Sequence, residues 1–100
     1  MEKIFEVEDK TGRIIYLPKK QWLHIASEHP EVGSKYERII ETIIETIIEP
    51  LFINNHNKDE NVKYYHKRYK ENDKYLIVVV KYLNGEGFIV SSYYTNKAQP

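Results

Sequence analysis

Residues 22 to 31 read WLHIASEHPE and hold two of the chain's four histidines, His24 and His29, the second directly before Pro30. Imidazole is the side chain best able to take and give protons near neutral pH. A pair of imidazoles suits RNA cleavage at the 2′-hydroxyl. There a base removes that proton, an acid protonates the departing 5′-oxygen, and cations meet the charge building on the phosphorane oxygens. In one continuous helix this spacing turns the two side chains ~140° apart, at ~100° per residue. They share a cleft only if the helix unwinds at Pro30, which the proline favours by restricting the residue before it.

The cationic part falls to Arg68, whose planar guanidinium matches phosphate in bidentate fashion, with Lys67 and His66 beside it in VKYYHKRY. As a strand, that run puts Val62, Tyr64, His66 and Arg68 on one face and Lys63, Tyr65, Lys67 and Tyr69 on the other. Tyr64 is placed to stack on a base, and Thr95 or Ser92 near the chain's end to donate to phosphate. The candidate catalytic residues are therefore His24, His29, Arg68 and Thr95, and the candidate substrate-binding residues Tyr64, His66, Lys67 and Ser92. Each has a structural alternative: His29 as a cap at a helix C-terminus, the tyrosine as packing, the serine as a solvated hydroxyl.

Other chemistries are poorly served. His24 and Glu28 stand at i, i+4, but no second pair of ligands has comparable spacing, and His56 and His66 fall on different elements, so no metal is expected. Gly12, Gly33, Gly85 and Gly87 stand alone or in turns, so there is no phosphate-cradling loop, and no cofactor is expected. Ser92 with His29 lacks a nucleophile elbow or an orienting acid.

The elements that must position these residues follow from periodicity. KIFEVE and RIIYL flank DKTG, a small hairpin. Pro18 suits a helix start, and Trp22, Ile25, Ala26 and His29 then fall on one face until Pro30. Tyr36, Ile39, Ile40, Ile43, Ile44, Ile47 and Ile48 mark a second, amphipathic helix closed by Pro50, with Ser34 and Glu37 as a capping box. Its isoleucine face must lie on a sheet. After Pro50 the period becomes two: LFINN, VKYYHKRY, KYLIVVVKYL and GFIVSSYYT are strands separated by HNKDEN, KEND and NGEG. The expected fold is α+β in a single domain over residues 1–100. One or two N-terminal helices pack on a four-stranded antiparallel sheet, with the small hairpin ahead of them as an option. The other sheet face stays open.

WLHIASEHPEV, a helix ending in IIEP, then KYYHKRY, KYLIVVVK and GFIVSSYYT occur in an order that resembles the phage-associated barnase/EndoU/colicin/RelE-like (BECR-fold) nucleases, over about residues 13 to 97. The resemblance implies metal-independent cleavage of RNA, often by a toxin held by an antitoxin or immunity protein. The sequence departs from that group in two ways. RelE-like toxins are usually basic, whereas this chain is neutral, and SSYYT leaves the site hydroxyl open among Ser91, Ser92 and Thr95.

Composition is ordinary for a small globular protein. The 100 residues hold 41% hydrophobic and 30% charged side chains and no cysteine, which excludes disulfides and thiolate chemistry. There is no membrane-length apolar run, and the start MEKIFEVEDKTGR lacks a secretory pattern, so the expected location is the cytoplasm. Net charge is zero but uneven: seven basic against ten acidic residues in 1–53, eight against five in 54–100. The basic half is a candidate polyanion surface, the alternative being that lysine-rich strands simply keep a sheet soluble. The competing expectation is a catalytically silent interaction module that binds a protein with the same sheet face. The two part on whether His24, His29 and Arg68 line one cleft.

Overall fold

The computed structural model describes residues 2–33, 36–69 and 74–96. Strands β1 (Lys3–Glu8) and β2 (Ile14–Pro18) form an antiparallel hairpin. In its turn, Gly12 takes a φ of +86°, a left-handed conformation open to glycine at no steric cost. Pro18 ends β2 and caps α1 (Lys19–Glu28), which closes at His29 with φ −129° and ψ 74°. This non-helical backbone is what a following proline imposes. Pro30 then opens a single further turn, α2 (Pro30–Gly33), because a first-turn residue needs no N–H.

Helix α3 (Tyr36–Ile48) buries Ile39, Ile43 and Ile47, while its acidic side faces water. Ser34 lies outside the described residues, as does the side chain of Glu37, so the capping box is not described. Four strands follow: β3 (Phe52–Asn55), β4 (Val62–Tyr69), β5 (Lys74–Leu83) and β6 (Glu86–Thr95). Residues 70–73, the KEND turn, lie outside the described residues. Between β5 and β6 the chain reverses through Asn84 and Gly85, both at positive φ, as a tight right-twisted hairpin requires.

The sheet has six strands in the order β1-β2-β6-β5-β4-β3. The expected four-stranded antiparallel sheet with one or two helices is therefore corrected to a six-stranded mixed sheet with three short helices. The hairpin does not stand ahead of the fold. It joins the main sheet through β2, which runs parallel to β6 with Ile15 opposite Gly87 and Tyr16 opposite Phe88. Residue periodicity within a strand says which face is buried, not which distant strand will meet its edge.

One face is covered by the helices. There Trp22, Ile25, Val32, Ile39, Ile43 and Ile47 pack on Ile15, Leu17, Leu76, Val78, Val80 and Ile89. Tyr65 belongs to this core as well, and Lys67 on the same side reaches out to Glu45, Nζ 3.9 Å from its carboxylate. β5 lies between β6 and β4 and is buried from Leu76 to Val80.

Candidate functional site

The opposite face is built from three rows across β4, β5 and β6. The pairings place Tyr64 beside Val79 and Ser91, His66 beside Ile77 and Tyr93, and Arg68 beside Tyr75 and Thr95. A bulge decides the last strand. Val80 pairs with Ile89 and Val79 with Ser91, so Val90 is extra. An inserted residue reverses the alternation beyond it. Hence Ser91, Tyr93 and Thr95 face the same way as Phe88, and Ser92 faces the helices.

His29 reaches this face from α1. Its ring centroid is 5.5 Å from that of Tyr93, and Nδ1 is 3.6 Å from the Glu31 carboxylate. The side chain is 31% exposed, so it meets solvent and protein together. The broken helix end makes this contact: continued helix would carry the ring along α1. Burial pushes the Tyr93 hydroxyl pKa up, helped by the neighbouring Tyr64, and so holds it protonated.

His24 is not brought to this place. It is 54% exposed on the outer side of α1, and Nε2 lies 3.8 Å from Glu28. Arg68 is exposed and stands in the row next to Tyr93, opposite Tyr75. Thr95 closes that row on β6. With strands ~4.8 Å apart and same-face residues ~6.8 Å apart along a strand, the backbones at Arg68, Thr95 and Tyr93 fall within ~12 Å of one another.

Among the other candidates, Tyr64 is half-buried on the open face, its ring 5.9 Å from His56. His66 is fully buried. Phe52 stacks on it at 4.2 Å, and its Nδ1 lies 3.1 Å from the Tyr64 carbonyl, which holds the ring in place beneath the surface. Ser92 is also buried, and its Oγ donates to the Ile77 carbonyl at 2.9 Å. Lys67 lies on the helix side. The open face thus gathers His29, Tyr64, Arg68 and Thr95, and leaves His24, Ser92 and Lys67 elsewhere, so the expected cleft of His24, His29 and Arg68 is not formed: only His29 and Arg68 share a face.

Two tyrosines missed by the sequence reading complete the face, Tyr75 and Tyr93. Alternation could have found Tyr75, which pairs with Arg68. Tyr93 could not be phased without the bulge. No three His, Asp or Glu side chains cluster so as to hold a metal ion among the described residues. No helix there is long and apolar enough to cross a membrane.

Helices on one face of the sheet and a tyrosine-bearing face with Arg68 on the other define a small α+β domain. The chain belongs to the family described as phage-Barnase-EndoU-ColicinE5/D-RelE like nuclease2, whose model it matches over residues 2–100. No curated protein gives a significant match.

Proposed function

We propose that the protein is an endoribonuclease that cleaves RNA at the open sheet face by acid–base chemistry of its own side chains. The observation that supports this most is the meeting of His29 with Tyr93 on the face that carries Arg68 and Thr95 in the next row. His29 takes the 2′-hydroxyl proton, the 2′-oxygen attacks phosphorus, and the bond to the 5′-oxygen breaks. Tyr93, held protonated by burial, stands beside His29 as the donor for the departing oxygen. Arg68 meets the charge on the phosphorane oxygens, and Thr95 adds a hydroxyl. Tyr64 and Tyr75 offer rings to the flanking bases. Such an activity inside the cell that makes it calls for restraint, so a toxin-like role with an inhibitory protein partner belongs to this reading.

The test is the purified protein on a mixed RNA and on DNA of the same sequence, both in excess EDTA. RNA should be cut to 2′,3′-cyclic phosphate ends and DNA left intact, since DNA lacks the attacking hydroxyl. Cleavage abolished by EDTA and restored by added zinc or magnesium would overturn the mechanism. Intact RNA under all conditions would favour the interaction module.

A further inference from the structure

Where the open face reaches the end of the sheet, a groove of about 670 Å³ is lined by Lys10, Glu49, Leu51, Lys67, Arg68 and Tyr75 among others. Its walls come from both sides of β4. Arg68 and Tyr75 pair on the open face, while Lys67 points to the helix side beside Glu45. Lys10 arrives from the far edge of the sheet. The residue before it, Asp9, is buried against β4 and β5, where Tyr82 donates a hydrogen bond to Oδ2 at 2.9 Å and Tyr65 donates at 3.4 Å. Asp9 also accepts from the Thr11 N–H and hydroxyl at 2.8 and 2.7 Å, which closes the turn around Lys10. The exposed Lys10 ammonium makes no ion pair among the described residues. Three of the lining side chains are cationic and Glu49 alone is acidic.

We propose that this groove is a second binding site, for the nucleotides flanking the cleaved bond. Lys10 and Lys67 hold a flanking phosphate and Tyr75 carries a base. The inference rests on the ribonuclease reading, because Arg68 belongs to both sites. It also narrows the substrate. A strand running from the open face at Arg68 to Lys67 must pass from one side of β4 to the other within a few nucleotides. A duplex, with a persistence length of ~50 nm in the case of DNA, cannot follow that path. The substrate is single-stranded RNA, and the buried Asp9 cluster acts on it only by positioning the turn that carries Lys10.

Binding of fluorescein-labelled 2′-O-methyl octauridylate, which lacks the attacking hydroxyl, tests the site across a range of salt. Lys10→Ala should weaken binding ~5-fold and lower the slope of log affinity against log salt by about 0.7, the loss of one single-strand phosphate contact. Lys10→Arg should restore both, and Glu49→Gln should tighten binding by removing the acidic side chain of the lining. The same oligonucleotide paired with octaadenylate should bind less well than the single strand. Wild-type affinity and slope in Lys10→Ala, or equal binding of the duplex, would overturn the proposal. Unmodified octauridylate separates the two readings. If wild type leaves it intact while Lys10→Ala still weakens binding, the groove stands and the cleavage reading falls; cleavage with unaltered Lys10→Ala binding does the reverse.

Discussion

His29 owes its place to its backbone. With φ −129° it is no longer helical, although its N–H still donates to the Ile25 carbonyl at 2.7 Å, so the ring leaves the line of α1 and meets Tyr93. Replacing it by glutamine keeps a polar group of similar reach and removes proton transfer. His29→Gln should therefore fold normally and lose ~10²- to 10⁴-fold in cleavage rate. His24→Gln is the control. Its side chain lies beside Glu28 at the surface, so the rate should stay as in wild type. Arg68→Ala should slow cleavage ~100-fold or more by removing a donor preorganised for the transition state. Single-turnover rates of the three variants decide these points, and full activity in Arg68→Ala would take it out of the site.

At the scale of elements, α3 and the β6 bulge matter most. Ile43 is fully buried between α3 and the sheet, so truncation removes packing that cannot easily collapse. Ile43→Ala should cost ~2 to 5 kcal/mol in a urea titration, and a loss near zero would reject this packing. The bulge at Val90 aims Tyr93 and Thr95 away from the helices and Ser92 toward them. Three hydroxyls in one short run, Ser91, Ser92 and Thr95, were equivalent candidates on sequence alone. Alternation sets Ser91 and Thr95 apart from Ser92, and the extra residue in the ladder decides which set faces away from the helices.

At the scale of the molecule, the sheet curls until its first turn meets its middle strands. Asp9 has a side chain only 1% exposed, and the Arg13 guanidinium lies over the Tyr82 ring at 3.7 Å. Burial penalises the Asp9 charge, but hydrogen bonds from Thr11, the Arg13 N–H and Tyr82 outweigh it and hold the carboxyl below its ordinary value of 3.8. A carboxyl depressed in the folded state contributes stability above its unfolded pKa, and that contribution is lost as pH falls through the folded one. Wild type should thus lose stability steeply below about pH 4, and Asp9→Asn should start less stable at neutral pH and show a flatter acid limb. Urea midpoints measured from pH 7 downward test this. Parallel acid limbs in the two proteins would mean that another group titrates. Burial also raises the hydroxyl pKa of Tyr65 and of Tyr82, so both stay protonated donors to Asp9 over this range.

The sequence by itself determined what depends on neighbours along the chain. The isoleucine spacing gave α3, the unbroken LIVVV run gave a central strand, the Asn84-Gly85 pair gave a hairpin, and Pro30 gave the break that frees His29. It also carried the family resemblance and the placement of Tyr64 and Arg68 on one face. Only the tertiary structure decided what depends on residues far apart in the chain. The parallel pairing of β2 with β6, which enlarges the sheet to six strands, is one such feature. The bulge that phases Tyr93 and the descent of Asp9 onto Tyr65 and Tyr82 are others. Local patterns report the period of burial, and these features arise instead from edges, registers and side-chain reach that exist only once the chain has closed on itself.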